Sequence, residues 1–230
     1  TSLRELLLDK LRTINGIDTS IDQVVVTPGA MNGLYSIYAA LLNPGDEVLL
    51  PTPGFPNMDE TVRLLGGQPV FYELKKSDGY LPDPDEIASL VTTQTKAMFL
   101  NTPSNPTGAV IPPERIEAIL ATTSERGVWV ISDEVYDQLI LDDGLPYLSP
   151  GSVDTSMPVI SVFSFSKVYA MTGWRVGYLV APPVLSEVLR KLQEPQVSCT
   201  STVSQKAAEA ALTGPHEPIE AMRSAYVKNR

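Results

Sequence analysis

Two residues that could do chemistry, Lys167 and Arg175, lie in the stretch SFSKVYAMTGWRVGY. Lys167 follows an apolar run that begins at Val159 and is typical of a buried strand. A lysine at such a strand end is expected to lose hydration, which favours the neutral amine; this amine can attack a carbonyl group and hold an aldehyde as a Schiff base. Arg175 offers a rigid planar cation that suits a phosphate. Taken alone, Lys167 also fits a lysine that extends from a loop to the surface.

A candidate anion site lies in the stretch TPGAMNGL, where Gly29 precedes the start of a predicted helix. The backbone N–H groups of Ala30 and Met31 are unpaired at such a start and can bind an anion. In isolation a turn of this kind is more often structural. Ser164, close to Lys167 in sequence, could add a hydroxyl group. An aldehyde that carries a phosphate would use both the amine and the anion site, and pyridoxal 5′-phosphate is such a molecule.

The ring of that molecule needs further partners, and the sequence has candidates for each of them. Asp133 ends the apolar strand GVWVIS and could keep the ring nitrogen protonated, although it could equally cap a following helix. Asn105 and Tyr136 could donate to the phenolic oxygen, although NPTG by itself indicates only a turn. Phe55, in a proline-rich loop, could stack on the ring or simply pack against the protein.

The elements that must position these residues alternate between short apolar runs and stretches with helical periodicity. This pattern is typical of an α/β protein. We expect one large domain with a mostly parallel sheet of about seven strands and helices on both faces. Strands are predicted in DQVVVTPGA, MPVISVFSFS and WRVGYLVAP, among others. Because such sheets bind ligands at the carboxyl ends of their strands, the candidate residues are expected to meet at one edge.

Six motifs in one order carry a resemblance to a known family: the glycine turn, the aromatic loop, NPTG, SDEVY, SFSK and GWRVGY. Together they resemble the class I/II pyridoxal-phosphate aminotransferases of fold type I, over almost the whole chain. The resemblance implies a three-layer α/β/α domain in which Lys167 carries the cofactor as a Schiff base and then moves the substrate's proton. It also implies that Asp133 pairs with the ring nitrogen and that Asn105 and Tyr136 bond the ring's phenolic oxygen. The cofactor-binding residues that it implies are Gly29, Ala30, Met31, Phe55, Asn105, Asp133, Tyr136, Ser164, Ser166, Lys167 and Arg175.

Composition excludes several other classes of site. The 230 residues carry 17 basic and 27 acidic side chains, a formal charge of −10, which argues against nucleic acid or an anionic membrane as the main partner. Cys199 is the single cysteine and His216 the single histidine, so disulfides, histidine triads and zinc sites are not expected. No transmembrane run or signal peptide is visible, and a cytoplasmic location is the default expectation.

The resemblance is incomplete at both ends of the chain. By this resemblance, residues 1–230 are expected to correspond to the large cofactor-binding domain, without the family's N-terminal segment and small C-terminal domain. The arginine that binds the substrate's α-carboxylate in this family belongs to the missing part, and neither Arg223 nor Arg230 can be assigned that role. The family also implies a homodimer.

Several functions remain open at this level. The leading hypothesis is transfer of an amino group between an amino acid and a 2-oxo acid. The same site could serve a β-lyase or a related eliminating or cyclising enzyme, because the cofactor motifs do not decide which bond breaks. A third reading is the sensor domain of a regulator. By the resemblance, the stretch QEPQVSCTSTVSQ lies where relatives selective for acidic substrates place an arginine. It contains Glu194 and no arginine, which argues mildly against aspartate or glutamate as the amino donor, although Glu194 more often fits a solvated residue at a helix end.

Overall fold

The computed structural model describes residues 1–155 and 159–230. Within them a 7-stranded sheet runs through the molecule in the order β1-β7-β6-β5-β4-β2-β3. All neighbouring strands are parallel except for β7, which is antiparallel to both β1 and β6. The strands are β1 Val24–Thr27, β2 Glu47–Thr52, β3 Gln68–Glu73, β4 Thr95–Asn101, β5 Trp129–Asp133, β6 Ile160–Ser164 and β7 Gly177–Val180.

Helices cover both faces of this sheet, which confirms the predicted three-layer α/β/α architecture with a mixed sheet. One face packs against α2, α3 and α6 through a core that includes Leu34, Val62 and Leu189. The other face packs against α1 and α7 on one side and against α4 and α5 on the other. The helices are α1 Ser2–Ile14, α2 Ala30–Leu41, α3 Asn57–Leu64, α4 Pro84–Leu90, α5 Pro113–Glu125, α6 Pro183–Val197, α7 Thr202–Thr213 and α8 Glu217–Asn229.

The antiparallel strand β7 determines which loops meet at the functional edge. Gly177, the first residue of β7, pairs with Thr27 at the end of β1 on one side and with Ser164 at the end of β6 on the other. Because β7 begins where its neighbours end, the residues just before it lie beside the loops that follow β1 and β6. This topology brings Arg175 to the same edge of the sheet as Lys167.

Two predicted strand boundaries need correction. Trp174 was expected to begin a strand, but it lies in a short 3-10 helix, Thr172–Trp174, and is 47% exposed. The strand cannot begin there because Arg175 has a left-handed backbone with φ of 51°, which breaks an extended chain. The strand predicted from Met157 begins at Ile160; Met157 and Pro158 lie outside the described residues.

Across residues 1–155 and 159–230, helices that combine the length and apolar character needed to cross a membrane are absent.

Candidate active site

A pocket of about 200 Å³ opens at the edge where the parallel strands end. It is lined by every residue predicted for the site except Gly29, which lies directly behind its wall. The lining residues are Ala30, Met31, Leu34, Phe55, Asn101, Asn105, Asp133, Val135, Tyr136, Ser164, Ser166, Lys167, Thr172 and Arg175.

One end of the pocket is built from the start of α2. Gly29 has φ of 85°, and no side chain among the described residues caps the helix that follows it. The turn is fixed from within, because Gly29 N donates to Thr27 O at 2.7 Å and Thr27 Oγ1 donates to Gly29 O at 3.0 Å. The first N–H groups of α2 therefore remain available to an anion, and the helix dipole favours one.

Arg175 lies against this turn. A Cβ added at Gly29 would lie 2.3 Å from Arg175 Nη2, so both the positive φ and the space require glycine. Arg175 Nη1 donates to Thr172 O at 2.8 Å, which orients the guanidinium. At Gly177 a Cβ would lie 2.6 Å from Ala30 N, so this glycine lets β7 pass close to the helix start. The arrangement places a fixed cation beside uncapped backbone donors.

We expect Arg175→Ala to weaken binding of inorganic phosphate by about tenfold, because it removes the charged hydrogen-bond donors of this end of the pocket. Isothermal titration calorimetry measures the change. The matched control is Arg115→Ala, which removes an arginine whose ion pair with Asp78 lies elsewhere on the surface. Equal phosphate affinity in both variants would contradict the assignment of the anion site to Arg175.

The pocket also contains a buried carboxyl group. Asp133 is 8% exposed, and burial raises its pKa to about 7, with the neighbouring Glu134 adding to the effect. The hydrogen bond from Val135 N at 3.2 Å and the charge of Lys167 act in the opposite direction. Asp133 is followed by a turn and does not cap a helix. A cation in the pocket would compensate the charge that burial disfavours.

Lys167 corrects one expectation. Its side chain is exposed in the structure, so the loss of hydration predicted from the apolar strand does not occur. The reason is that Lys167 lies beyond the last residue of β6, Ser164, in a turn at the pocket mouth. Its Nζ lies 5.8 Å from the centroid of the Tyr136 ring. Burial of Tyr136, and secondly the charge of Asp133, raise the pKa of the Tyr136 hydroxyl.

The remaining predicted residues have distinct surroundings. Phe55 is half-buried and packs against the core beside α2. Asn105 lies in a turn, and its backbone N donates to Asn101 Oδ1 at 2.6 Å. The Ser164 hydroxyl accepts from Ser166 N at 3.0 Å and donates to Val176 O at 3.5 Å. The Ser164 hydroxyl thus bonds two backbone groups of its own loop in addition to lining the pocket.

Asn101 is the most informative residue that the sequence analysis missed. Its Nδ2 donates to Asp133 O at 3.0 Å while its Oδ1 accepts from Asn105 N, so one side chain ties two loops of the pocket together. The signal was its place at the carboxyl end of β4, in register with Asp133 at the end of β5. Thr172 was also missed; its hydroxyl donates to Ser166 O at 2.9 Å.

A larger pocket of about 410 Å³ adjoins the first and shares Asn105 and Tyr136 with it. Its wall is mostly apolar and includes Leu139 and Leu145, with Arg230 also in the lining. Arg223 does not reach this pocket as a free cation, because its Nε donates to Ile140 O at 2.6 Å and its guanidinium is paired with Asp143. Arg223 therefore fixes the segment that forms the wall.

Comparison with known proteins identifies close relatives. The family model described as "Aminotransferase class I and II" matches residues 1–230. A probable aspartate/prephenate aminotransferase of Aquifex aeolicus is 38% identical over 232 residues, which cover 99% of this chain and 59% of that protein. The structure of an aromatic aminotransferase from Pyrococcus horikoshii has a TM-score of 0.95 and 37% identity, covering 99% of this chain and 62% of that one.

An alanine aminotransferase from Pyrococcus furiosus has a TM-score of 0.91 and 36% identity over 97% of this chain, but only 57% of its own. The chain therefore spans only part of the length of each of these relatives. Their names agree on the type of reaction and differ in the amino acid.

Proposed function

Because the chain belongs to the class I and II aminotransferase family, we propose that it carries the pyridoxal-phosphate site of an enzyme that transfers an amino group between an amino acid and a 2-oxo acid. The observation that carries the proposal is the meeting of three unlike groups in one pocket. Lys167, the buried Asp133 and the anion-binding start of α2 all line it. The named activities of the relatives support the same type of reaction.

The residues present fit pyridoxal phosphate. Arg175 and the uncapped N–H groups of α2 match a phosphate, and the crowded glycine turn shows that they are held closely together. Asp133, a buried carboxyl with a raised pKa, matches a protonated ring nitrogen. The aromatic ring of Phe55 lies at the pocket wall, as stacking on the cofactor ring requires.

When bound, the cofactor supplies an aldehyde for the bonding of amines and an electron-withdrawing ring that weakens the bonds at the substrate's Cα. Lys167 would provide the amine for that aldehyde, and the same amine would serve as a base for the Cα proton of the substrate. Its exposed position at the pocket mouth leaves the amine free to serve both roles. Asp133 keeps the ring nitrogen protonated, and Tyr136 and Asn105 donate to the ring's oxygen.

Residues 1–230 form the large cofactor-binding domain in this proposal, and the adjoining pocket near Leu139 receives the substrate's side chain. The enzyme acts as a homodimer in the cytoplasm, on small amino and 2-oxo acids. The net charge of −10 supports the absence of nucleic acid among its partners.

The purified protein is expected to be yellow with pyridoxal phosphate, and borohydride is expected to fix the cofactor to a single peptide, the one that contains Lys167. Incubation with amino acids should then convert the cofactor to pyridoxamine phosphate, as followed by absorbance and chromatography. Fixation at another lysine would overturn the site. Release of pyruvate and ammonia from a β-substituted amino acid, without pyridoxamine phosphate, would favour an eliminating enzyme instead.

A further inference from the structure

A buried ion pair lies behind the segment that carries Asp133 and Tyr136. Lys10 of α1 contacts Asp137, and the two side chains are 7% and 4% exposed. Asn15 joins them, because its Oδ1 accepts from Lys10 Nζ at 2.8 Å and its Nδ2 donates to Asp137 Oδ2 at 3.0 Å. Lys10 Nζ also lies 4.5 Å from the centroid of the Phe163 ring. The two charges are thus enclosed by an amide and an aromatic face.

Stability alone does not explain such a pair. The free energy needed to desolvate two buried charges offsets most of the free energy gained from their attraction. Apolar residues of similar volume therefore often stabilise a fold equally well. What a buried pair does provide is a fixed position, because neither charge can leave its partner without a large cost. The question is therefore what the pair holds in place.

The geometry of the turn after β5 answers this question. Asp137 immediately follows Tyr136, and Asp137 N donates to Glu134 O at 3.1 Å, which closes a tight turn. Lys10 belongs to a helix that is anchored in the core by Leu3, Leu7 and Leu11, each fully buried. A rigid helix therefore holds the end of the turn through the ion pair.

A second anchor acts at the start of the same turn. Glu134 is fully buried, and it accepts hydrogen bonds from the Tyr147 hydroxyl at 2.6 Å and from Ser149 Oγ. Glu134 and Asp137 are thus both held inside the protein. Asp133 and Tyr136, the residues that precede them in the chain, line the pocket. The turn is fixed on the side away from the ligand.

We propose that Lys10 and Asp137 are a positioning pair, which holds Asp133 and Tyr136 in the arrangement that receives the cofactor's ring. This role rests on the proposed function, since it concerns the same pocket. The pair does not touch the ligand itself. The anion end of the pocket is built from other residues, at the start of α2 and at Arg175.

This separation gives the test. In the double variant Lys10→Met/Asp137→Leu, which replaces both charges with apolar side chains, the dissociation constant for pyridoxal phosphate is expected to rise about tenfold. The dissociation constant for inorganic phosphate is expected to stay within about twofold, because the anion end is unchanged. The visible absorption band of the bound cofactor should also shift, since the groups around its ring have moved. Calorimetry and absorbance measure these effects.

The control is Ile87→Ala, which weakens the packing of α4, a helix that contributes no residue to the pocket or to the ion pair. It should lower the melting temperature yet leave the affinity for pyridoxal phosphate within about twofold. A folded double variant with wild-type affinity and spectrum would overturn the proposal, as would an equal loss of affinity for pyridoxal phosphate and for inorganic phosphate.

Asn15→Ala provides the test if the double variant does not fold, because both charges remain and only the joining amide is lost. Its dissociation constant for pyridoxal phosphate is expected to rise about threefold, and no change would overturn the proposal. Failure of the proposed function looks different, because the wild-type protein itself would then not bind pyridoxal phosphate.

Discussion

Lys167→Ala is expected to lower the rate of amino-group transfer by about 10⁴-fold, because in the proposed function one side chain supplies both the amine that bonds the cofactor and the base that moves the Cα proton. Borohydride should then fix no cofactor to the protein. The fold should survive, since Lys167 is exposed and surface substitutions usually change the free energy of unfolding by less than about 0.5 kcal/mol. The phosphate end of the pocket is unaltered, so the variant should still bind inorganic phosphate.

The experiment compares Lys167→Ala with Lys191→Ala, which removes an exposed lysine that pairs with Glu187 on α6. Three quantities are measured for each protein: the melting temperature, the yield of borohydride-fixed cofactor, and the initial rate of pyridoxamine phosphate formation from an amino acid. Loss of fixation in Lys167→Ala alone is the expected result. Equal fixation in the two variants would show that another amine carries the cofactor.

Much of the site could be predicted because its residues lie where strands end. Asp133 and Lys167 each follow an apolar run, and parallel strands bring such positions to one edge. The position of Arg175 was harder to predict, since it depends on β7 being antiparallel between β1 and β6. No local pattern in the sequence states the order of the strands, so the residue type suggested a phosphate as the partner of Arg175 but did not show that Arg175 lies beside the start of α2.

The exposure of Lys167 and the role of Asn101 could not be predicted for related reasons. An apolar strand shows that its own residues are buried, but it does not show how far the next turn extends toward solvent. The partners of the Asn101 side chain are backbone atoms, which every residue has, so its place at a strand end marks Asn101 as a candidate site residue but does not show which loops it joins. The burial of Lys10, in contrast, has a sign in the sequence, because Lys10 lies at helical spacing from Leu3 and Leu7 on the buried face of α1. A charged residue on that face was a visible signal of a buried partner.

Asp133→Asn is expected to act in opposite directions on catalysis and on stability. The amide has no charge to hold the ring nitrogen protonated, so the rate of amino-group transfer should fall by about 10³-fold. The affinity for inorganic phosphate should stay unchanged, because Arg175 and α2 are intact. Without added cofactor, the same change should raise the free energy of unfolding above pH 7, because the folded chain no longer has to bury an ionised carboxylate.

The sign of the pH dependence follows from the direction of the shift. Burial raises the pKa of Asp133 from 3.8, the ordinary value of an aspartate side chain, to about 7 in the folded chain. Between these values the folded state keeps a proton that the unfolded state releases, so this group makes stability fall as pH rises. Well below pH 3.8 both states are protonated and the group contributes nothing. The stability gained by Asp133→Asn should therefore be below about 1 kcal/mol at pH 4 and reach a few kcal/mol at pH 8.

Urea unfolding at a series of pH values measures this difference, with Asp85→Asn, an exposed carboxylate of α4, as the matched control. Saturating pyridoxal phosphate should remove or reverse the advantage of Asp133→Asn, because the protonated ring nitrogen gives the buried carboxylate its counter-charge. A variant that is less stable than the wild type at pH 8 without cofactor would show that Asp133 stabilises the fold by itself. The expected pattern instead makes the burial of Asp133 a cost to the fold that only a cationic ligand offsets, and so assigns the carboxylate to binding.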